Sequence, residues 1–204
     1  MISSDLWRAN GDLATAAVSH PFVRGLADGS LATPRFAAFI AQDAFFLDAF
    51  ARAYAFALAH CPDRAGLESF ADLLAGVRAE LGLHALYAER LGIDLAHTVP
   101  APATTAYTGF LLETAAAGRT GLTCAAMTPC MRLYAYLGQT LQREPHASTF
   151  QEWIDTYADP AFEELAVRME ELLHRYGSDD PGVPGAYRTA MTLELGFFDA
   201  AMTW

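Results

Sequence analysis

The sequence predicts an all-α protein, and three observations support that fold class. Apolar residues recur at helical spacing through almost the whole chain. No stretch alternates with period two for long enough to indicate a strand. Hydrophobic residues make up 53% of the 204 residues and charged residues 18%, which is ample for a large core and argues against disorder. Since no internal repeat or linker is present, we expect a single domain over residues 1–204.

Prolines, glycines and capping residues set the predicted helix boundaries. Thr33 is expected as an N-cap, with Pro34 at the first helical position. His20-Pro21 starts a short helical turn, and Gly92 stops the helix that precedes it. The predicted helices span about residues 4–18, 33–59, 64–91, 103–117, 120–142, 147–158, 160–176 and 185–202.

The charge balance excludes some classes of partner. The net charge is −11, from 24 acidic and 13 basic residues, and every basic residue is arginine. Binding to nucleic acid needs clustered positive charge, so no nucleic-acid partner is expected. The longest uncharged stretches, around Cys124 and Ala101, contain Pro, Thr or Gly, so no membrane span is expected. The N-terminus lacks the basic region and apolar run of a secretory signal, and a cytoplasmic location is expected.

The three cysteines, Cys61, Cys124 and Cys130, are an odd number without CxxC spacing. This pattern argues against a disulfide framework and against a structural zinc site. At least one thiol is expected to be free.

Pro129 interrupts an otherwise helical pattern, at a cost of roughly 3 kcal/mol, and Cys130 follows it directly. Tyr134 comes four residues later, so the thiol and the phenol share one helix face. Cys130 is therefore a candidate functional residue. The alternative is that it is a small buried hydrophobic residue, as most free helical cysteines are.

Glu194 and Asp43 are acidic residues in apolar surroundings. Glu194 lies within the segment 191–198, and Asp43 lies in the middle of a helix where no capping role explains it. Burial would raise the pKa of Glu194 toward the range that is useful for proton transfer. The alternative for both is a place on the polar stripe of an amphipathic helix.

Several other residues have two interpretations. Tyr107, Tyr157 and the pair Phe45-Phe46 could line a pocket or belong to the core. Glu80 and His84 are four residues apart on one helix face and could bind a metal or simply pair. A helical di-iron site would need two Glu-x-x-His pairs, and because these are absent no metal is expected.

Taken together, these residues resemble the TenA family of aminopyrimidine aminohydrolases, also called thiaminase II, along the whole chain. The landmarks, in order, are His20-Pro21-Phe22-Val23, Gln42-Asp43 with Phe46-Leu47, Glu80 and His84, Tyr107, Pro129-Cys130 with Tyr134, Trp153-Ile154 with Tyr157, and Glu194 with Phe197. Cys130 is similar to the cysteine of the cysteine-containing branch.

The resemblance implies a haem-oxygenase-like helical bundle with one deep pocket in each subunit. It also implies a homo-oligomer, a tetramer or dimer of dimers, without a bound cofactor. The implied reaction replaces the amine of 4-amino-5-aminomethyl-2-methylpyrimidine with hydroxyl and, less efficiently, cleaves thiamin. Its product would serve thiamin salvage.

The resemblance also assigns roles to residues. Cys130 would add to the pyrimidine ring, Glu194 would move the protons, and Asp43 would bind the ring nitrogen and amino group. Tyr134 and Tyr157 would hydrogen-bond the catalytic groups, and Tyr107 would stack on the ring. One position departs from the pattern, since Phe46 stands where the family often has tyrosine. A missing phenol could cost about 1 to 3 kcal/mol and alter substrate preference.

Two other functions are compatible with a helical bundle. A metal- or quinone-dependent oxidase would need a cluster of histidines and carboxylates in the pocket. A non-catalytic regulatory protein is the second, but the acidic charge argues against direct contact with DNA.

Overall fold

A computed structural model describes residues 1–145 and 147–204, and the described residues form helices and no strands. The all-α prediction is therefore confirmed for this part of the chain. Its α-helices are α1 (Ile2–Ala9), α2 (Gly11–Ser19), α3 (Pro21–Asp28), α4 (Thr33–His60), α5 (Arg64–Leu91), α6 (Pro102–Ala116), α7 (Thr120–Arg143), α8 (Gln151–Ala158), α9 (Pro160–Gly177) and α10 (Val183–Ala201). Short 3₁₀ helices, Leu95–His97 and Ser148–Phe150, precede α6 and α8.

The predicted first helix, over residues 4–18, is wrong, because the chain forms α1 and α2 with a break at Asn10. The buried Asn10 side chain donates from Nδ2 to the Leu6 carbonyl at 2.8 Å and accepts from Arg188 at 3.1 Å. An asparagine that binds the backbone in this way competes with the helical hydrogen bonds. The partner from α10 could not be seen in the local sequence.

From α4 onward the predicted boundaries are nearly correct, with two small corrections. Thr33 is not the N-cap of α4, because Ala32 takes that position without a side-chain hydrogen bond. The helix expected from residue 147 begins instead at Gln151, after a 3₁₀ turn. The predicted stop at Gly92 is confirmed by its φ of 67°, a left-handed conformation that favours glycine.

Helix α7 is the centre of the fold, since it is buried along most of its length and contacts α4, α6, α8, α9 and α10. It continues through Pro129, which lies inside the helix next to Cys130. A Cβ atom at Gly138 would lie 2.4 Å from the carbonyl carbon of Tyr157, so glycine is needed where α7 meets α8. This close approach brings the Tyr134 and Tyr157 rings together, with centroids 4.9 Å apart.

Within the part of the chain that the structure describes, no helix is both long enough and apolar enough to cross a bilayer.

Candidate active site

Cys130, Glu194 and Tyr107 come from α7, α10 and α6, and all three are buried in the core. The Tyr107 hydroxyl donates a hydrogen bond to Glu194 Oε1 at 2.7 Å. The Cys130 thiol lies close enough to the same carboxyl group for each to shift the pKa of the other. A thiol and an acid that are far apart in the sequence are therefore neighbours in the fold.

Burial controls the protonation of this group. Removal from water raises the pKa of Glu194 to about 8; the hydrogen bond from Tyr107 opposes the shift, and the charge of Asp43 adds to it. Burial, followed by the charges of Glu194, Glu80 and Asp43, raises the pKa of the Cys130 thiol well above its ordinary value. The resting group therefore contains a thiol, and a thiol becomes a strong nucleophile only when a base takes its proton.

Asp43 and His84 form a buried pair between α4 and α5. His84 Nε2 lies 2.8 Å from Asp43 Oδ2, and His84 Nδ1 donates to the Glu80 backbone carbonyl at 3.0 Å. Burial acts to lower the pKa of His84, but the hydrogen bond to Asp43 and the charges of Asp43 and Glu80 outweigh it and raise that pKa to about 9. At neutral pH His84 is therefore an imidazolium ion beside Asp43.

Glu80 and Tyr157 form a second polar contact close to this pair. The Tyr157 hydroxyl donates to Glu80 Oε1 at 2.6 Å. Burial and the charge of Asp43 raise the pKa of the half-buried Glu80 to about 7, against the opposing effects of the Tyr157 hydrogen bond and His84. Tyr157 thus connects Glu80 to the aromatic group that it forms with Tyr134.

Phe46 lies in an aromatic wall next to Glu194. Its ring centroid is 4.7 Å from that of Tyr107 and 6.2 Å from that of Phe197, and 3% of the residue is exposed. Tyr107 therefore presents its ring to Phe46 and its hydroxyl to the carboxyl group. Such a wall suits a flat ring.

The seven site residues predicted from the sequence are all buried, namely Asp43, Phe46, Tyr107, Cys130, Tyr134, Tyr157 and Glu194. The hydrogen bonds are distributed differently from the roles that the resemblance implied. Tyr107, which was expected to stack, donates to Glu194, whereas Tyr157 donates to Glu80. The Tyr134 ring packs on Tyr157.

Sequence reasoning missed Glu80 and His84 as parts of this site. They were named as landmarks of the family resemblance, and their spacing on α5 indicated a metal pair or an ion pair, whereas the partner of His84 is Asp43 on another helix. Among residues 1–145 and 147–204, no group of three or more His, Cys, Asp or Glu side chains is arranged to hold a metal ion. All three cysteines are free, as expected.

A cleft with a volume of about 350 Å³ lies beside this cluster. Its walls come from α5, α7, α8 and α9 and are mostly apolar. The lining residues include Leu83 and Leu165, together with Glu80 and Met131, the neighbour of Cys130. Glu80 therefore belongs both to the buried cluster and to the wall of the cleft.

These features define an all-helical protein with a buried cluster of a thiol, carboxyl groups and aromatic rings in its core. The chain belongs to the TENA/THI-4/PQQC family, whose model matches residues 8–203. It is similar to an aminopyrimidine aminohydrolase of Halalkalibacterium halodurans, at 35% identity over 91% of this chain and 88% of that protein. It is also similar to the thiamine biosynthesis multifunctional protein ThiED of Corynebacterium efficiens, at 32% identity over 96% of this chain but 28% of that protein.

Solved structures agree with the family assignment. A TenA family transcription regulator from Silicibacter sp. TM1040 superimposes with a TM-score of 0.92 at 28% identity, covering 98% of this chain and 96% of that one. A domain of unknown function from Shewanella denitrificans with a heme oxygenase-like fold has a TM-score of 0.71 at 15% identity, over 99% of this chain and 90% of that one. The expected haem-oxygenase-like fold is confirmed.

Proposed function

We propose that the chain hydrolyses aminopyrimidines, converting 4-amino-5-aminomethyl-2-methylpyrimidine to its hydroxymethyl product, and that it cleaves thiamin more slowly. The position of the Cys130 thiol near Glu194 carries the proposal, in a chain 35% identical to an aminopyrimidine aminohydrolase. A relative named for thiamine biosynthesis supports the same substrate class. The homotetramer implied by the family resemblance and the expected cytoplasmic location stay predictions.

The first half of the reaction is nucleophilic addition. Ionised Glu194 takes the thiol proton, and the sulfur of Cys130 adds to a ring carbon, forming one S–C bond and breaking the aromaticity of the ring. The ring electrons then expel the amine from the exocyclic methylene. Glu194 returns its proton to the leaving amine, so the carboxylate is ready for the second half.

The second half adds water and restores the thiol. Water attacks the exocyclic methylene, Glu194 accepts the proton of the water, and a C–O bond forms. The S–C bond then breaks, the ring regains its aromaticity, and Glu194 gives the proton back to sulfur. The sum is R–NH₂ plus H₂O giving R–OH plus NH₃, with no change in oxidation state.

The other site residues hold the ring. Asp43 would bind the amino group and ring nitrogen, while His84 occupies one of its carboxylate oxygens and keeps the carboxyl group in place. The aromatic wall of Phe46 and Tyr107 would flank the ring. Orientation of this kind lowers the entropy cost of addition.

The test is to incubate the purified chain with aminomethylpyrimidine and with thiamin side by side and to measure the hydroxymethyl product from each. We expect product from both substrates, and faster from aminomethylpyrimidine. Absence of product from both substrates would overturn the proposed function.

A further inference from the structure

We propose that the cleft between α5, α7, α8 and α9 binds the second heterocycle of a two-ring substrate, the ring that is released on cleavage. Glu80 favours a cationic ring there. This inference rests on the proposed function. It deepens that function by assigning a place to the part of thiamin that the Cys130 site does not hold, its thiazolium ring.

The cleft and the catalytic cluster share a wall. Glu80 lines the cleft and accepts a hydrogen bond from Tyr157, which packs against Tyr134 in the cluster. Met131, another lining residue, directly follows Cys130 on α7. We place the second ring of a substrate whose pyrimidine lies by the thiol in this adjacent cleft.

The size and lining of the cleft suit a small aromatic group. Its volume of about 350 Å³ is within the range of small-molecule sites. Besides Leu83 and Leu165, the walls contain Leu73, Val77, Phe162 and small residues. Burial of an apolar ring there would be favourable.

The charged residues that line the cleft favour an occupant with a positive charge. Its lining residues include two acids, Glu80 and Asp159, and no arginine or histidine. Asp159 caps α9 by accepting from the Ala161 amide at 2.7 Å. Tyr157 binds only Oε1 of Glu80, and Oε2 has no hydrogen-bond partner among the described residues. Because the pKa of Glu80 is about 7, a cation in the cleft would favour its ionised form near neutral pH.

The steric test narrows the cleft without changing the catalytic cluster. Leu165→Trp should raise KM for thiamin at least fivefold more than it raises KM for aminomethylpyrimidine, because only thiamin carries a second ring. Val167→Trp is the matched control, since Val167 is exposed on the same helix outside the cleft, and the ratio of the two KM values should not change.

Equal effects of Leu165→Trp on the two substrates, or no effect on either, would overturn the proposal. Circular dichroism checks the fold of each variant. If Leu165→Trp does not fold, Leu83→Phe narrows the cleft from α5 and must give the same change in the KM ratio.

The charge test measures binding of two probes by calorimetry, an N-methylated hydroxyethyl-methylthiazolium ion and the neutral thiazole of the same shape. We expect at least fivefold tighter binding of the cation to the unmodified chain, and loss of that preference in Glu80→Gln. Equal binding of the two probes, or binding of neither, would overturn the role of the cleft. These probes need no turnover, so the outcome for the cleft is independent of the outcome for the proposed hydrolysis.

Discussion

Cys124 and Cys130 lie six residues apart on α7, and both are buried, yet their surroundings differ. Cys124 has no solvent exposure, and burial raises the pKa of its thiol well above the ordinary value. Burial acts in the same direction on Cys130, but Cys130 also lies near Glu194 of α10. The comparison teaches that burial by itself makes a thiol inert, and it supports the proposal that Glu194 activates Cys130.

The largest effect on activity is expected from substitution of Cys130. Cys130→Ala removes the nucleophile, so hydroxymethylpyrimidine formation should fall by at least about 10³-fold with an unchanged circular dichroism spectrum. The matched control is Cys124→Ala, which should keep activity within about threefold and lower the free energy of unfolding by about 1 kcal/mol through the small cavity that it leaves. Equal loss of activity in the two variants would end the distinction between the two sites.

Glu194→Gln should have the next largest effect. The amide keeps the shape of the side chain but cannot take the thiol proton, so turnover should fall by about 10²- to 10³-fold. Glu170→Gln is the control, because Glu170 binds Arg132 away from Cys130. Steady-state kinetics of both variants are the measurement. A Glu194→Gln variant with full activity would show that another group activates the thiol.

The pH dependence of kcat/KM tests the same comparison. We expect kcat/KM to change by about tenfold per pH unit on each limb of the profile. Glu194 must be ionised to act as a base, and its pKa is raised to about 8, so kcat/KM should rise with pH up to about 8. His84, with a pKa raised to about 9, loses its charge above that pH, and kcat/KM should then fall. Glu194 and His84 interact electrostatically with Cys130 and Glu80, so the two limbs of the profile describe the cluster.

The measurement is kcat/KM between pH 6 and pH 10, corrected for ionisation of the substrate. The rising limb should disappear in Glu194→Gln. A flat profile in the unmodified chain would contradict the assignment of Glu194 as the base.

The smallest expected effect concerns the aromatic wall. Phe46→Tyr restores the hydroxyl group that the family often has at this position, and a new hydrogen bond to the substrate should lower KM by up to about tenfold. Phe50→Tyr is the control, since its ring is 5.5 Å from that of Phe46 but it is 1% exposed in the core. That variant should lose stability in thermal denaturation without a lower KM. If KM is the same in Phe46→Tyr and the unmodified chain, the departure at Phe46 has no part in selectivity.

Local patterns predicted the helices well where a stop or start signal is strong. The helix over 64–91 agrees with α5, because Gly92 can take the left-handed conformation that ends a helix. The break at Asn10 could not be predicted, because the side chain that holds it comes from Arg188. Periodicity shows which face of a helix is apolar, but it does not show which distant residue will meet it.

In the candidate site, too, the sequence predicted some features and helix packing decided the others. Cys130, Glu194 and Asp43 were recognised by their unusual surroundings in the sequence and by the family resemblance. The pairing of Asp43 with His84, and of Glu80 with Tyr157, depends on how α4, α5 and α8 pack against one another. Hydrogen bonds between helices have no signature in a single sequence, since each residue is ordinary within its own helix.

The amino-acid sequence by itself determined the all-α class, most helix boundaries and the residue types available for chemistry, because helical periodicity and capping act over a few neighbouring residues. Only the tertiary structure decided that the Cys130 thiol lies near Glu194, that Tyr107 donates a hydrogen bond to this carboxyl group, and that Glu80 borders a cleft. The physical reason is that contact, desolvation and pKa depend on the groups that packing brings together across the fold, irrespective of their separation along the chain.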